Sequence, residues 1–122
     1  MQADWMRQCK GFILVYSVIS KDSFHEVDSF HDNILNIKNE NDEQVTVPMV
    51  LAANKCDLDN HREVTADDGA EKAKKWNCSF YECSAKQNKN VQEIFAACVK
   101  RIVEQKPDKK DKKKDRGICV LL

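Results

Sequence analysis

Val47-Pro48-Met49-Val50-Leu51-Ala52-Ala53-Asn54-Lys55-Cys56-Asp57 is the stretch on which the fold turns. Seven apolar or small residues run up to a polar Asn-Lys-x-Asp pattern. A continuous apolar run of this kind suits a strand buried on both faces, in a parallel sheet covered by helices. In open α/β sheets ligands bind just beyond the carboxyl ends of the strands, which is where the polar residues fall. Alone, Asn-Lys-x-Asp is a weak pattern, because four polar loop residues are common. Its weight depends on what the flanking sequence places beside it.

Upstream, residues 11–19 (Gly-Phe-Ile-Leu-Val-Tyr-Ser-Val-Ile) are β-branched, aromatic and uncharged, and predict a second buried strand. Ser20 to Ser23 turns the chain, and Ser23-x-x-Glu26 reads as a capping box. Phe24, Val27, Phe30, His31, Ile34 and Ile37 then recur three and four apart, as on an amphipathic helix. His25 and His31 read as surface or boundary residues, and residues 39–46 as a polar, acidic loop. Residues 1–9 suit the last turns of a helix.

Downstream, residues 58–64 form a charged loop, and Thr65 caps a helix with Asp67 and Asp68 in its first turn. Ala66, Gly69, Ala70, Ala73 and Trp76 give that helix a close-packing face. Residues 79–83 predict a short third strand, with Ser84-Ala85-Lys86 as the loop at its end. Asn90 caps a last helix carrying Val91, Ile94, Phe95, Cys98, Val99 and Ile102, and Pro107 marks its end. The order is strand, helix, strand, helix, strand, helix. Connections of this length imply parallel strands and right-handed crossovers: an α/β fold, half of a doubly wound sheet with three strands and three main helices. Adjacent parallel strands bring the loops 54–57 and 83–86 to one end of the sheet, and that coincidence lifts the weak pattern.

At 122 residues the chain allows one domain. Its formal net charge of zero conceals a basic end. Lys109, Lys110, Lys112, Lys113, Lys114 and Arg116 there outweigh Asp108, Asp111 and Asp115. Residues 1–106 read as the folded domain and 107–122 as a disordered polybasic tail. Nucleic-acid binding is disfavoured, since the body is correspondingly acidic and no aromatic residues interleave with the lysines. Six cysteines lack zinc-site spacing, and the N-terminus lacks the apolar core of a secretory signal. Cys9, Cys56, Cys78, Cys83 and Cys98 sit in or beside apolar runs and read as reduced thiols of a cytosolic protein. No apolar run approaches the ~20 residues needed to span a bilayer.

The chain resembles the C-terminal part of a Ras-family small GTPase, of the Ras/Rap/Ral branch. The resemblance rests on Asn-Lys-Cys-Asp-Leu at 54–58, Glu-Cys-Ser-Ala-Lys at 82–86 and the terminal Cys-Val-Leu-Leu at 119–122, and it extends over nearly the whole chain. It implies the small GTPase, or P-loop NTPase, type of sheet. It also implies guanine recognition by Asn54, Lys55, Asp57, Ser84, Ala85 and Lys86. The chemistry fits: a carboxylate such as that of Asp57 accepts from guanine N1–H and the exocyclic amine together, and adenine offers no such pair of donors. The aliphatic stem of Lys55 suits the purine face. By resemblance, Asn54 ties the loop to its neighbours and contacts the base, and Ala85 offers its N–H to guanine O6. Lys86 packs on the other side, and Ser84 orients Asp57.

The departures matter equally. The chain has three glycines and no Gly-x-x-x-x-Gly-Lys-Ser/Thr, so the phosphate cradle and magnesium-binding hydroxyl of the family do not occur in it. Both switch regions are likewise missing from the match. Met1 corresponds to an internal methionine of the family's second helix, implying a reading frame begun inside a longer gene. GTP or GDP is the expected family ligand, with weak or no binding by this chain and no Mg2+ site. The strand at residues 11–19 is expected to become an uncharged sheet edge prone to pairing.

Cys119-Val120-Leu121-Leu122 fits a prenylation box whose terminal leucine favours geranylgeranyl. The polybasic residues 109–116 supply the second membrane signal. The expected location is the cytoplasmic face of a membrane, the plasma membrane foremost. The expected function is a membrane-anchored Ras-like signalling switch that meets family regulators and effectors if a full-length form exists. The alternative is a truncated, non-hydrolysing, membrane-anchored interaction protein.

Overall fold

Residues 11–17 are almost entirely apolar, and they form β1 (Gly11–Ser17), with Phe12 to Leu14 and Tyr16 buried. The computed structural model describes residues 9–38, 47–84, 86–104 and 118–121, the side chains of Cys56, Asp57, Asp59, Glu104 and Cys119 excepted. After β1 the chain continues through α1 (Lys21–Lys38), β2 (Met49–Asn54), a 3-10 turn (Cys56–His61), α2 (Ala66–Trp76), β3 (Ser79–Glu82), α3 (Val91–Glu104) and β4 (Ile118–Leu121). The described strands are parallel, in the order β3-β2-β1-β4.

Alternation along the strands divides the core in two. Phe12, Leu14 and Tyr16 of β1, with Met49, Leu51 and Ala53 of β2, pack against Val27 and Ile34 of α1 and Ala73 of α2. Ile13, Val50 and Ala52 face the other way, onto Ile94 and Cys98 of α3. Among the described residues the sheet is therefore covered by two helices on one face and one on the other.

The helix starts are specified locally. The α1 cap is Ser20, not Ser23: the Ser23 N–H donates to Ser20 Oγ at 3.2 Å. The Ser23 hydroxyl donates instead to Ser20 O at 2.8 Å and accepts from the Ser17 N–H at 2.9 Å, joining the helix to the end of β1. Thr65 caps α2 as expected, its Oγ1 accepting from the Asp68 N–H at 3.1 Å. Gly69 packs against the rings of Tyr16 and Phe80, where a Cβ would lie 2.5 Å from Phe80 Cε1. The two helices are clamped together by Lys72, whose ammonium sits 3.6 Å from the Phe24 ring centre and 3.0 Å from Asp28 Oδ1. His31 stacks on Trp76 with ring centres 4.1 Å apart.

Two differences from the sequence expectation concern the sheet edge and α3. The sequence predicts three strands; among the described residues the sheet has four, because Ile118–Leu121 pairs with β1 in the register Gly11↔Ile118 to Leu14↔Leu121. An uncharged, β-branched edge accepts an apolar segment of the same character. β1 is thus interior, and β4 takes the edge. On α3, Phe95, Val99 and Val103 are 43%, 47% and 71% exposed, although Phe95 and Val99 belong to the apolar set that the spacing assigned to one face. One helix over a narrow sheet buries Ile94 and Cys98 fully and leaves the residues on their flank in solvent. The remainder of the segment read as a disordered tail, residues 107–117 and Leu122, lies outside the described residues.

Cys78, Cys83 and Cys98 form no disulfide, as expected. Burial pushes the thiols of Cys78 and Cys98 up to about 11, so they stay protonated and inert. Cys9 departs from that expectation: it is buried and disulfide-bonded.

Candidate functional site

The loops that follow β2 and β3 meet at the carboxyl end of the sheet because those strands are adjacent and in register, Ala53 opposite Glu82. Asn54 closes β2, and its carbonyl accepts from the Val18 N–H at 3.0 Å, which fixes the end of β1 beside it. The Asn54 side chain turns to both loops. Its Oδ1 accepts from the Lys55 N–H at 2.8 Å and lies 3.8 Å from Cys83 Sγ. Asn54 thus touches its own loop and the residue that opens the next.

Lys55 adopts a left-handed backbone, with φ of 65°, and its side chain is exposed. That conformation is disfavoured for a residue with a Cβ, and such strain concentrates where a side chain must be aimed. The chain then enters the 3-10 turn, with the Leu58 N–H donating to Lys55 O at 2.9 Å. Asp57 lies within this turn, so its backbone is held at the mouth of the loop; its carboxylate lies outside the described residues.

On the β3 side, the Cys83 N–H donates to Ala53 O at 2.7 Å, carrying the β3 pairing into the loop. Ser84 is fully buried and forms an antiparallel bridge with Lys89: the Ser84 N–H reaches Lys89 O at 3.2 Å, and the Lys89 N–H reaches Ser84 O at 2.9 Å. Ser84 Oγ accepts from the Gln87 N–H at 3.1 Å. The bridge closes on a turn at residues 86–88, with Lys86 exposed. Ala85 lies outside the described residues.

Several residues that position this site carried no recognised motif. Arg62 donates to Glu82 at 2.6 and 3.2 Å and to Val64 O at 3.0 Å, fastening the segment after the 3-10 turn to the end of β3. Asn90 was expected to cap α3. Its backbone is left-handed, at φ 59°, and its side-chain amide donates to Glu82 O at 2.7 Å, holding the return of the loop. Asn88 is also left-handed, at φ 53°. The asparagines were the available signal, since Asn tolerates this conformation better than most residues. Behind the ion pair, Tyr16 is buried with no hydrogen-bond partner for its hydroxyl among the described residues. Burial, reinforced by Glu82, pushes its phenol well above the ordinary tyrosine range.

Among the described residues no group of three or more His, Cys, Asp or Glu is placed to hold a metal ion. Among the described residues the site has two loop segments at one sheet end, a buried serine and an exposed lysine on each side. That set suits a flat heterocycle with hydrogen-bonding edges.

The sequence matches a family model described as Ras family over residues 1–104. Among curated proteins it is similar to Ras-like protein rasZ of Dictyostelium discoideum, with 38% identity over 94% of this chain and 53% of that protein. It is 43% identical to Ras-like protein rasW of the same organism, over 88% of this chain and 48% of the relative. It is 39% identical to Ras-like protein 2 of Mucor circinelloides f. lusitanicus, over 93% of this chain and 56% of the relative. The chain therefore spans about half the length of the curated relatives it matches.

Proposed function

The chain belongs to the Ras family, and from that premise we propose that it supplies the guanine-recognition half and the lipid anchor of a Ras-like small GTP-binding signalling switch. The observation that carries the base-reading part is the junction at Asn54, where one side chain contacts the backbone of its own loop and the Cys83 thiol of the next. That junction supports placing Asp57 against the paired donors of guanine, with Lys55 and Lys86 flanking the ring and the Ala85 N–H available to guanine O6. Ser84, already engaged with Gln87, stiffens the loop that presents them. A nucleotide would be held here by its base, and the phosphates and their magnesium ion would need groups that this chain does not contribute.

The anchor half of the proposal rests on Cys119 and the basic residues 109–116. Among the described residues no helix is long and apolar enough to cross a membrane, and a geranylgeranyl thioether backed by lysines is the kind of attachment this composition supports. The proposed location is the cytoplasmic face of a membrane. A second reading, a non-hydrolysing membrane-anchored interaction protein, is favoured by the three-glycine sequence without a phosphate loop.

Competition binding separates base reading from its absence. We expect guanine nucleotides to bind weakly, above ~1 µM, yet at least roughly tenfold better than adenine nucleotides, with the preference lost in Asp57→Asn. Equal affinity for the two bases would remove the base-reading proposal. Tight magnesium-dependent GTP binding would overturn the expected weakness. For the anchor, Cys119→Ser should move the protein from membrane to soluble fractions, and unchanged membrane residence would count against the lipid.

A further inference from the structure

The last residues of the chain occupy a place in the sheet. β4 (Ile118–Leu121) pairs parallel to β1 along Gly11 to Leu14 and is packed on both faces. Leu121 is fully buried in the cluster that holds Cys9, Phe12 and Leu14, and Ile118 packs against the cluster of Ile13, Val50 and Cys98. Val120 remains 39% exposed at the outer side. Three of the four residues of the terminal Cys-Val-Leu-Leu are therefore strand residues. Among the described residues β4 is the element paired with β1 on this side, and its departure would bare the N–H and C=O groups of Gly11 to Leu14.

We propose that the outer edge of β1 is a strand-acceptor site occupied by this chain's own Ile118–Leu121, and that this docking and lipid attachment at Cys119 exclude one another. The inference rests on the reading of Cys119 as a lipid acceptor. Attachment is a substitution at carbon. The Cys119 sulfur bonds to C1 of a geranylgeranyl diphosphate as the C1–O bond breaks, diphosphate departs, and the thiol proton passes to solvent. A transferase must grip the terminal residues as a free extended peptide, and their backbone groups cannot serve that enzyme and the β1 ladder together. Docking thus covers a pairing-prone edge and withholds the acceptor; undocking releases the acceptor and bares the edge.

The test uses the full chain under reducing conditions, alongside peptides of residues 113–122. Amide hydrogen exchange should show residues 118–121 and 11–14 protected together, and both should lose protection in Ile118→Asp, which leaves Cys119 to Leu122 unchanged. With a purified geranylgeranyl transferase, the wild-type peptide should accept lipid at least tenfold faster than the full chain. Ile118→Asp in the full chain should bring its rate to that of the peptide bearing the same substitution. Exchange at residues 118–121 as fast as in the peptide would overturn the docked strand. Protected amides combined with equal transfer to chain and peptide would overturn the exclusion. Failure of the wild-type peptide to take lipid would overturn the acceptor reading, and the exclusion with it, whatever the exchange pattern.

Discussion

β1 is paired on both sides, and the two pairings are built differently. Towards β2 it is matched from Phe12 opposite Met49 to Ser17 opposite Asn54, and the ladder continues into β3 and the candidate site. Towards β4 it is matched only from Gly11 to Leu14, by residues at the very end of the sequence. The first pairing is locked by crossover helices: α1 joins β1 to β2, and α2 joins β2 to β3. Among the described residues no element lies beyond the second. Local opening in proteins begins where an element can leave without taking others along. The β2 side should therefore come apart only with the whole fold, whereas β4 can leave alone.

Leucine truncation gives the largest effect and the most direct way to break this comparison. Leu51 and Leu121 are both fully buried in the same apolar cluster. Leu51→Ala should cost about 2–5 kcal/mol, read as a lower urea midpoint at unchanged slope. Leu121→Ala removes the same atoms. Its cost to global stability, however, is capped by the free energy of docking β4, because a strand that has already left has nothing more to lose. We expect it to cost clearly less than Leu51→Ala. Equal losses would show that β4 is as integral as β2.

The same division explains what was legible in the sequence. The β1–β2–β3 unit was readable because apolar runs ending in turn and cap signals name buried strands without tertiary information. Thr65 as a helix cap and the convergence of residues 54–57 with 83–86 followed from that. β4 was not readable, since Ile118 to Leu121 is a four-residue stretch beyond a polybasic run, and its pairing with β1 is a long-range contact that leaves no local trace. Phe95 and Val99 misled for a related reason: periodicity names an apolar face and cannot say how wide the sheet beneath it is. At the site, residue types identified Asn54 and Ser84, but the ties made by Arg62 and Asn90 are long-range contacts that leave little local trace. The Asp57 side chain and Ala85 lie outside the described residues, so their place in the site rests on the sequence.

A smaller effect sharpens the comparison from the site's side. Arg62 and Glu82 are 17% and 22% exposed, and their paired hydrogen bonds hold the end of β3. Arg62→Ala leaves a half-buried carboxylate without its guanidinium and frees Val64 O, for a loss of about 1–3 kcal/mol. Amide exchange should quicken in residues 82–90 and stay unchanged in residues 118–121. Quickening at both ends would mean that the two edges are coupled through β1 and β2, and the division drawn above would fail.

The smallest expected effect at neutral pH belongs to Tyr16, which lies in β1 between the two regions. Its hydroxyl is buried without a partner among the described residues, so Tyr16→Phe removes a desolvated polar group and should be neutral or stabilising by up to about 1 kcal/mol at pH 7. The difference should then grow with pH. Burial raises the phenol's pKa in the folded protein above its unfolded value of about 10, so the folded form keeps a proton that the unfolded form releases. Stability associated with Tyr16 is complete below pH 10 and falls above it, by up to about 1.4 kcal/mol per pH unit. The thiols of Cys78 and Cys98, raised from 9 to about 11, add a decline that begins near pH 9 in both proteins and cancels in the comparison. Denaturant midpoints of the two proteins should therefore run parallel up to about pH 10 and diverge above it, with the Phe variant the more stable. A variant less stable than wild type by more than about 1 kcal/mol at pH 7 would show that the phenol is hydrogen-bonded in the folded chain. β1 would then be held near the site by a polar contact as well as by packing.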